Sequence, residues 1–106
     1  MERMTQSQKR SYKRHHGLID DVTGIRYRPQ EVQQLIIGHI KPIAIGGCND
    51  PENLFLTHRD NEDKINDLAY RIAENNPELI HSVMEQLTRS ILQLNEVSNF
   101  YNNQLD

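Results

Sequence analysis

Residues 32–72 constrain the fold most strongly, because two strand patterns and one helix pattern follow one another there with little chain between them. A run rich in β-branched residues from 32 to 40 predicts a strand. Pro42 cannot donate to a strand ladder, so the strand should end there. Gly46-Gly47 then predicts a loop, and the apolar residues 54–56 predict a second short strand.

A helix pattern follows the second predicted strand. Thr57 and Asp60 have the spacing of a variant capping box, which predicts a helix that begins near His58. Asn76 and Pro77 predict the start of another helix, as its N-cap and its first residue, and so the end of the one before. The apolar residues of the first helix recur at the spacing of one buried face. They are Ile65, Leu68, Ala69 and Ile72.

The second helix is predicted to run from Pro77 to about Asn102, and its apolar residues repeat in a 4-3-4-3 pattern. This seam has two interpretations, which are packing onto its own domain and pairing with a second copy in a homodimer. The seam consists of Ile80, Met84, Leu87, Ile91 and Leu94, and it is widened by Leu79, Val83, Val97 and Phe100.

The N-terminal residues 1–17 are basic and have no clear apolar period. They are interpreted either as a solvated, flexible arm or as an arm that contacts phosphates, with Lys13 and Arg14 as candidate contacts. Further along, Thr23-Gly24 predicts a turn. The alternation of apolar and basic residues over 25–28 predicts a short strand.

Charge is distributed unevenly along this chain of 106 residues, whose net charge is −3. Residues 1–28 carry seven Lys and Arg against three Asp and Glu, whereas residues 58–106 carry four against nine. A basic segment can contact phosphates locally even on an acidic body. The acidic helical half instead favours a protein partner.

Cysteine content and hydropathy limit the class of protein. Cys48 is the single cysteine, which excludes an internal disulfide framework and an all-cysteine zinc site. A reducing cytosol is consistent with this usage. No secretory leader and no apolar run of the roughly 20 residues that span a bilayer are recognisable, so we expect a cytoplasmic protein without membrane contact.

These patterns together predict an α+β fold in one small domain. We expect a basic N-terminal arm over 1–17, a core with two strands and a helix over 18–75, and a long C-terminal helix over 76–106.

One stretch of the predicted core resembles a known motif. The matching residues are His39, Ile40, Pro42, Gly46, Gly47, Asn53, Leu54, Asn61 and Lys64. Their order and spacing resemble the HNH endonuclease family, whose ββα-metal (His-Me finger) fold cuts nucleic-acid phosphodiesters. The resemblance covers about residues 20–70.

The resemblance implies a role for each matching polar residue. His39 would be the general base that deprotonates water, since an imidazole titrates near neutral pH. Asn53 would hold that imidazole in one orientation. Asn61 would supply an oxygen to a divalent cation, Mg²⁺ or Mn²⁺, because hard cations prefer oxygen ligands. Lys64, Lys41 and His58 would contact the nucleic acid.

Two departures from the family pattern bear on the metal. Gly38 stands where the family usually has a metal-binding Asp or His, and glycine cannot coordinate a cation through a side chain. Asp60, Glu62 and Asp63 are candidates to replace it. Glu62 is the best of them, because it also restores the usual spacing from Asn53. The zinc-binding cysteine pairs of many members are absent.

Three functions follow from these observations. The first is a metal-dependent HNH-type endonuclease that nicks or cleaves DNA, encoded by a phage or mobile element and acting in a bacterial or phage-infected cell. The second is a catalytically degenerate HNH-like module that binds nucleic acid or a partner protein and regulates it. The third is a helical dimerisation adaptor in which the motif is incidental.

Overall fold

The computed structural model describes residues 3–105, and the side chains of residues 3–96. The fold is α+β, as predicted, with three α-helices and one small sheet in the described chain. The helices are α1 (Gln6–His15), α2 (Arg59–Ile72) and α3 (Ile80–Leu105), and the strands are β1 (Leu35–His39) and β2 (Leu54–His58).

The two strands form an antiparallel pair that places His39 at one end of the sheet. Leu35 lies opposite His58, and His39 lies opposite Leu54. Residues 40–53 connect the strands, and α2 begins directly after β2. The core lies between the sheet and the helices, and its buried apolar residues are Leu35, Leu54, Phe55, Leu56, Ile65, Ala69 and Ala73.

Upstream of β1 the backbone is less extended than the sequence predicts. The turn at Thr23-Gly24 forms as expected, but residues 25–28 form no strand and contribute only an isolated bridge between Ile19 and Arg26. Pro29–Gln34 then fold into a 3₁₀ helix, because Pro29 is preset for a first helical turn. β1, which the sequence predicts from residue 32, therefore starts only at residue 35.

The predicted capping box at the start of α2 is wrong. His58 is the N-cap residue, and its Nδ1 accepts a hydrogen bond from the backbone N–H of Asp60 at 3.1 Å. Thr57 is not available for capping because it belongs to β2 and is fully buried. Its hydroxyl donates instead to Asp20 at 2.8 Å.

The apolar face of α2 is buried along a narrower line than predicted. Ile65 and Ala69 are buried, but Leu68 is 45% and Ile72 is 54% exposed. The sheet and α3 cover only one side of α2, and that side is continued by Ala73 at the helix end.

The long helix α3 packs on α2 of its own domain. Leu94 in the predicted seam is nevertheless 69% exposed. The predicted contributions of Val97 and Phe100 lie outside the described side chains. Among the described residues, none of the helices combines the length and the apolar character that crossing a bilayer requires.

Part of the basic N-terminal arm is an ordered helix that contacts the body of the protein. Thr5 and Gln8 form a capping box at the start of α1. At its end, His16 Nε2 lies 2.8 Å from the Asp21 carboxylate and the His16 ring stacks on Tyr12. Burial, followed by the Asp21 charge, raises the pKa of Tyr12 to about 12.

Candidate functional site

His39 is held at the end of β1 by a residue that the sequence analysis did not select. Its Nε2 lies 2.8 Å from the side-chain oxygen of Asn49. An amide oxygen can only accept, so the neutral tautomer that satisfies this contact donates from Nε2 and leaves Nδ1 as the basic nitrogen. The imidazole is therefore oriented by Asn49 rather than directly by Asn53.

Asn53 fastens the loop from which Asn49 projects. Its side-chain oxygen accepts from the Lys41 backbone N–H at 2.8 Å, and its amide donates to the Lys41 and Cys48 carbonyls at 3.1 and 2.8 Å. Its own carbonyl accepts from the Ile40 N–H at 2.8 Å. Asn53 thus clamps both ends of the loop and positions His39 through the backbone.

The Gly-Gly pair in this loop is required by close backbone packing. Gly46 has a left-handed φ of +99°, which disfavours residues with a side chain. A Cβ on Gly47 would collide with the Lys41 carbonyl oxygen. The two glycines therefore let the loop turn tightly enough for Asn53 to reach across it.

Gly38, the position next to His39, has no room for a metal ligand. It pairs across the sheet with Phe55, and a Cβ at Gly38 would collide with the Phe55 ring. Both residues are buried. The Phe55 ring therefore occupies the space that a side chain at position 38 would need, and such a side chain could be accommodated only if Phe55 moved.

His39 faces a cavity of about 360 Å³ that α2 and α3 help to line. Glu62 and Asn66 enter it from α2, and His81 enters it from α3. Burial raises the pKa of the Glu62 carboxyl, whereas a hydrogen bond from Asn66 and the nearby His39 act in the opposite direction. The cavity thus brings together an imidazole and a partly desolvated carboxylate, while the predicted metal-binding role of Glu62 stays a prediction.

His81 was missed by the sequence analysis. It lies in the first turn of α3, and its Nδ1 is the buried side-chain atom that has no hydrogen-bond partner within the described residues. Buried polar atoms are nearly always paired, so an unpaired one beside a cavity indicates a place for water or a ligand. Nothing in the local sequence signals this role, because it depends on how α3 docks.

Asn61 is not among the residues that line the cavity at His39. The Asn61 amide donates to Asp20 at 3.0 Å and to Thr57 at 3.1 Å. Asp20 is fully buried, and its carboxylate accepts from five donors. Asn61 therefore belongs to a network that joins the 20–24 turn to the start of α2.

The predicted nucleic-acid contacts are scattered over the surface. His58 is occupied as the N-cap of α2, and its Nε2 lies 3.3 Å from the Gln34 side-chain oxygen. Lys64 is exposed on α2, whereas Lys41 is half-buried beside the Gly46 turn. Lys13 and Arg14 lie on α1, where they line a separate groove.

The described side chains around His39 do not form a ready-made metal site. Within the part of the chain that the structure describes, no three His, Cys, Asp or Glu side chains are grouped so that they could hold a metal ion. The cavity offers one carboxylate, Glu62, beside an amide and two imidazoles. This donor set fits a cation of the Mg²⁺ type, which keeps several waters and is held through one or two carboxylates plus substrate phosphates.

No family model matches this chain, and neither does any curated protein or solved structure.

Proposed function

We propose that this protein is a small HNH-type endonuclease that hydrolyses DNA phosphodiester bonds, with a ββα-metal core formed by β1, β2 and α2. The observation that carries the proposal is the convergence of His39 and Glu62 on one cavity at the junction of the two strands and the helix. The clamp that Asn53 makes across the loop, and the hydrogen bond between His39 and the side-chain oxygen of Asn49, support it further.

His39 acts as the general base. Its Nε2 donates to Asn49, so Nδ1 accepts the proton of a water molecule in the cavity. That water then attacks phosphorus, and the bond to the leaving oxygen breaks. His81 lines the same cavity and would be a second imidazole near the phosphate.

Glu62 is the residue that would hold the divalent cation. A carboxylate whose pKa is raised by burial is costly to ionise, and it has no Lys or Arg ion-pair partner among the described side chains. A bound Mg²⁺ or Mn²⁺ would compensate that charge and would stabilise the negative charge that develops on the phosphate. Asn61 is not assigned to this role, since it is not among the residues that line the cavity shared by His39 and Glu62.

A supercoiled-plasmid nicking assay with Mg²⁺, Mn²⁺ or EDTA tests the proposal. We expect metal-dependent nicking by the wild type and its loss in His39→Ala. His15→Ala is the matched control, because His15 is an exposed histidine on α1. Nicking that survives in folded His39→Ala protein would exclude this mechanism.

A second candidate function is a degenerate HNH-like module that binds nucleic acid or a partner protein without cutting. The specific observation in its favour is that Phe55 fills the position of the missing ligand at Gly38. Folded wild-type protein that binds DNA but does not nick under any metal condition would establish this function instead.

A further inference from the structure

A second and larger cavity lies away from His39, between α1 and residues 26–32. Its volume is about 600 Å³. Four cationic side chains line it, and no acidic side chain does. We call it the basic groove, and its cations are Arg10, Lys13, Arg14 and Arg26.

Among the described side chains, the positive charge of the basic groove is not neutralised by ion pairs, since none of its four cations forms one. Lys13 Nζ donates to the Val32 carbonyl at 3.4 Å. Burial, and then the like charges of Lys9 and Arg59, lower the pKa of Lys13. An anionic ligand would relieve this repulsion.

The wall facing these cations is apolar and includes an aromatic ring. It consists of Leu18, Tyr27, Pro29 and Val32. The Tyr27 ring is itself backed by the His58 ring, with centroids 5.8 Å apart. Cations beside a supported aromatic ring are the combination that binds a phosphate backbone and stacks an unpaired base.

The two walls of the groove are held together by a specific backbone arrangement. Gly17 and Leu18 both have positive φ, +72° and +57°, which turns the chain sharply after α1. The Leu18 carbonyl then accepts from the Tyr27 N–H at 2.9 Å. Because of this link, Tyr27 stays opposite the α1 cations without any ligand.

We propose that the basic groove binds single-stranded nucleic acid, with phosphates on Arg10, Arg14 and Arg26 and a base against Tyr27. Bases in a duplex are already stacked on one another, so only an unpaired strand can use the aromatic wall. The proposal goes beyond the proposed endonuclease, because binding here requires neither His39 nor a metal.

Fluorescence anisotropy in EDTA tests this inference, using labelled oligothymidylate and a duplex of equal length. We expect tighter binding of the single strand. Arg10→Gln combined with Arg14→Gln should weaken it about tenfold and should lower the slope of log affinity against log salt by about 1.4, since each single-strand phosphate contact contributes about 0.7. Arg71→Gln combined with Arg89→Gln, which removes the same charge elsewhere, should bind like the wild type.

Tyr27→Leu separates stacking from charge. It should weaken single-strand binding about tenfold with an unchanged salt slope, because stacking on an aromatic ring contributes roughly 1–3 kcal/mol per base. Circular dichroism verifies that each variant is folded. Equal affinity for duplex and single strand would overturn the single-strand assignment. If the Arg10 and Arg14 variant binds oligothymidylate like the charge-matched control, the basic groove is not the binding site. If inorganic phosphate alone displaces the oligothymidylate, the groove is a simple anion site.

Discussion

Replacing Asp20 by Asn is expected to destabilise the fold far more than the loss of one surface charge would. Asp20 is completely buried. One carboxylate oxygen accepts from Val22 N–H, Thr23 N–H and the Thr57 hydroxyl, and the other accepts from His58 N–H and the Asn61 amide. An asparagine has the same shape but only one acceptor oxygen, so one of these two groups of donors must face an NH₂ group.

The structure sets the magnitude of this effect. The loss of stability is smallest if the NH₂ group of the new asparagine replaces the oxygen that faces His58 and Asn61. In that orientation the Asn61 side-chain amide can flip and present its oxygen to the NH₂ group. The backbone N–H of His58 cannot adapt, and an unsatisfied buried donor costs about 1–3 kcal/mol. The remaining hydrogen bonds also lose their charge-assisted strength, while removing the buried charge offsets part of the loss. We therefore expect a decrease of about 2–4 kcal/mol in the free energy of unfolding.

Urea denaturation followed by circular dichroism measures this decrease. The control is Asp67→Asn, because Asp67 is an exposed aspartate on α2. With a urea m-value of about 1–3 kcal/mol per molar, Asp20→Asn should lower the midpoint by about 1 M or more, and Asp67→Asn should leave it nearly unchanged. If the two variants had the same midpoint, the network around Asp20 would not carry the stability assigned to it here.

Three further predictions concern the site. Burial raises the pKa of the Glu62 carboxyl above 4.5 in the folded state, so the protein loses stability when pH rises and Glu62 ionises. Glu62→Gln should therefore raise Tm at pH values above the folded-state pKa of Glu62. This gain should disappear at pH values below the unfolded-state pKa, where Glu62 is protonated in both states. Asn53→Ala removes three side-chain hydrogen bonds and should lower the unfolding free energy by about 1–3 kcal/mol in urea, with nicking reduced even at temperatures where the variant is folded. Gly38→Ala should cost about 1–3 kcal/mol because its Cβ meets the Phe55 ring, and Phe55→Leu in the same chain should recover part of that loss in the same denaturation assay.

The order of elements around His39 could be predicted from the sequence because local chemistry sets it. Pro42 ends a β-branched run, Gly46-Gly47 permits a left-handed turn and a close backbone approach, and Asn76-Pro77 separates two helices. Each of these signals acts within a few residues of itself. The predicted strand over 25–28 failed because two residue types alternating over so short a stretch do not by themselves provide a pairing partner.

The partners of the polar side chains were decided by tertiary structure. Successive residues on a helix point about 100° apart, so Asn61 and Glu62 cannot both face His39. Which of them does so depends on how α2 is anchored, and Asp20, 41 positions from Asn61 in the chain, anchors it. His81 likewise reaches the cavity only because α3 packs back onto α2. The sequence by itself therefore determined the order of strand, loop, strand and helix around His39, whereas long-range packing decided which side chains surround it.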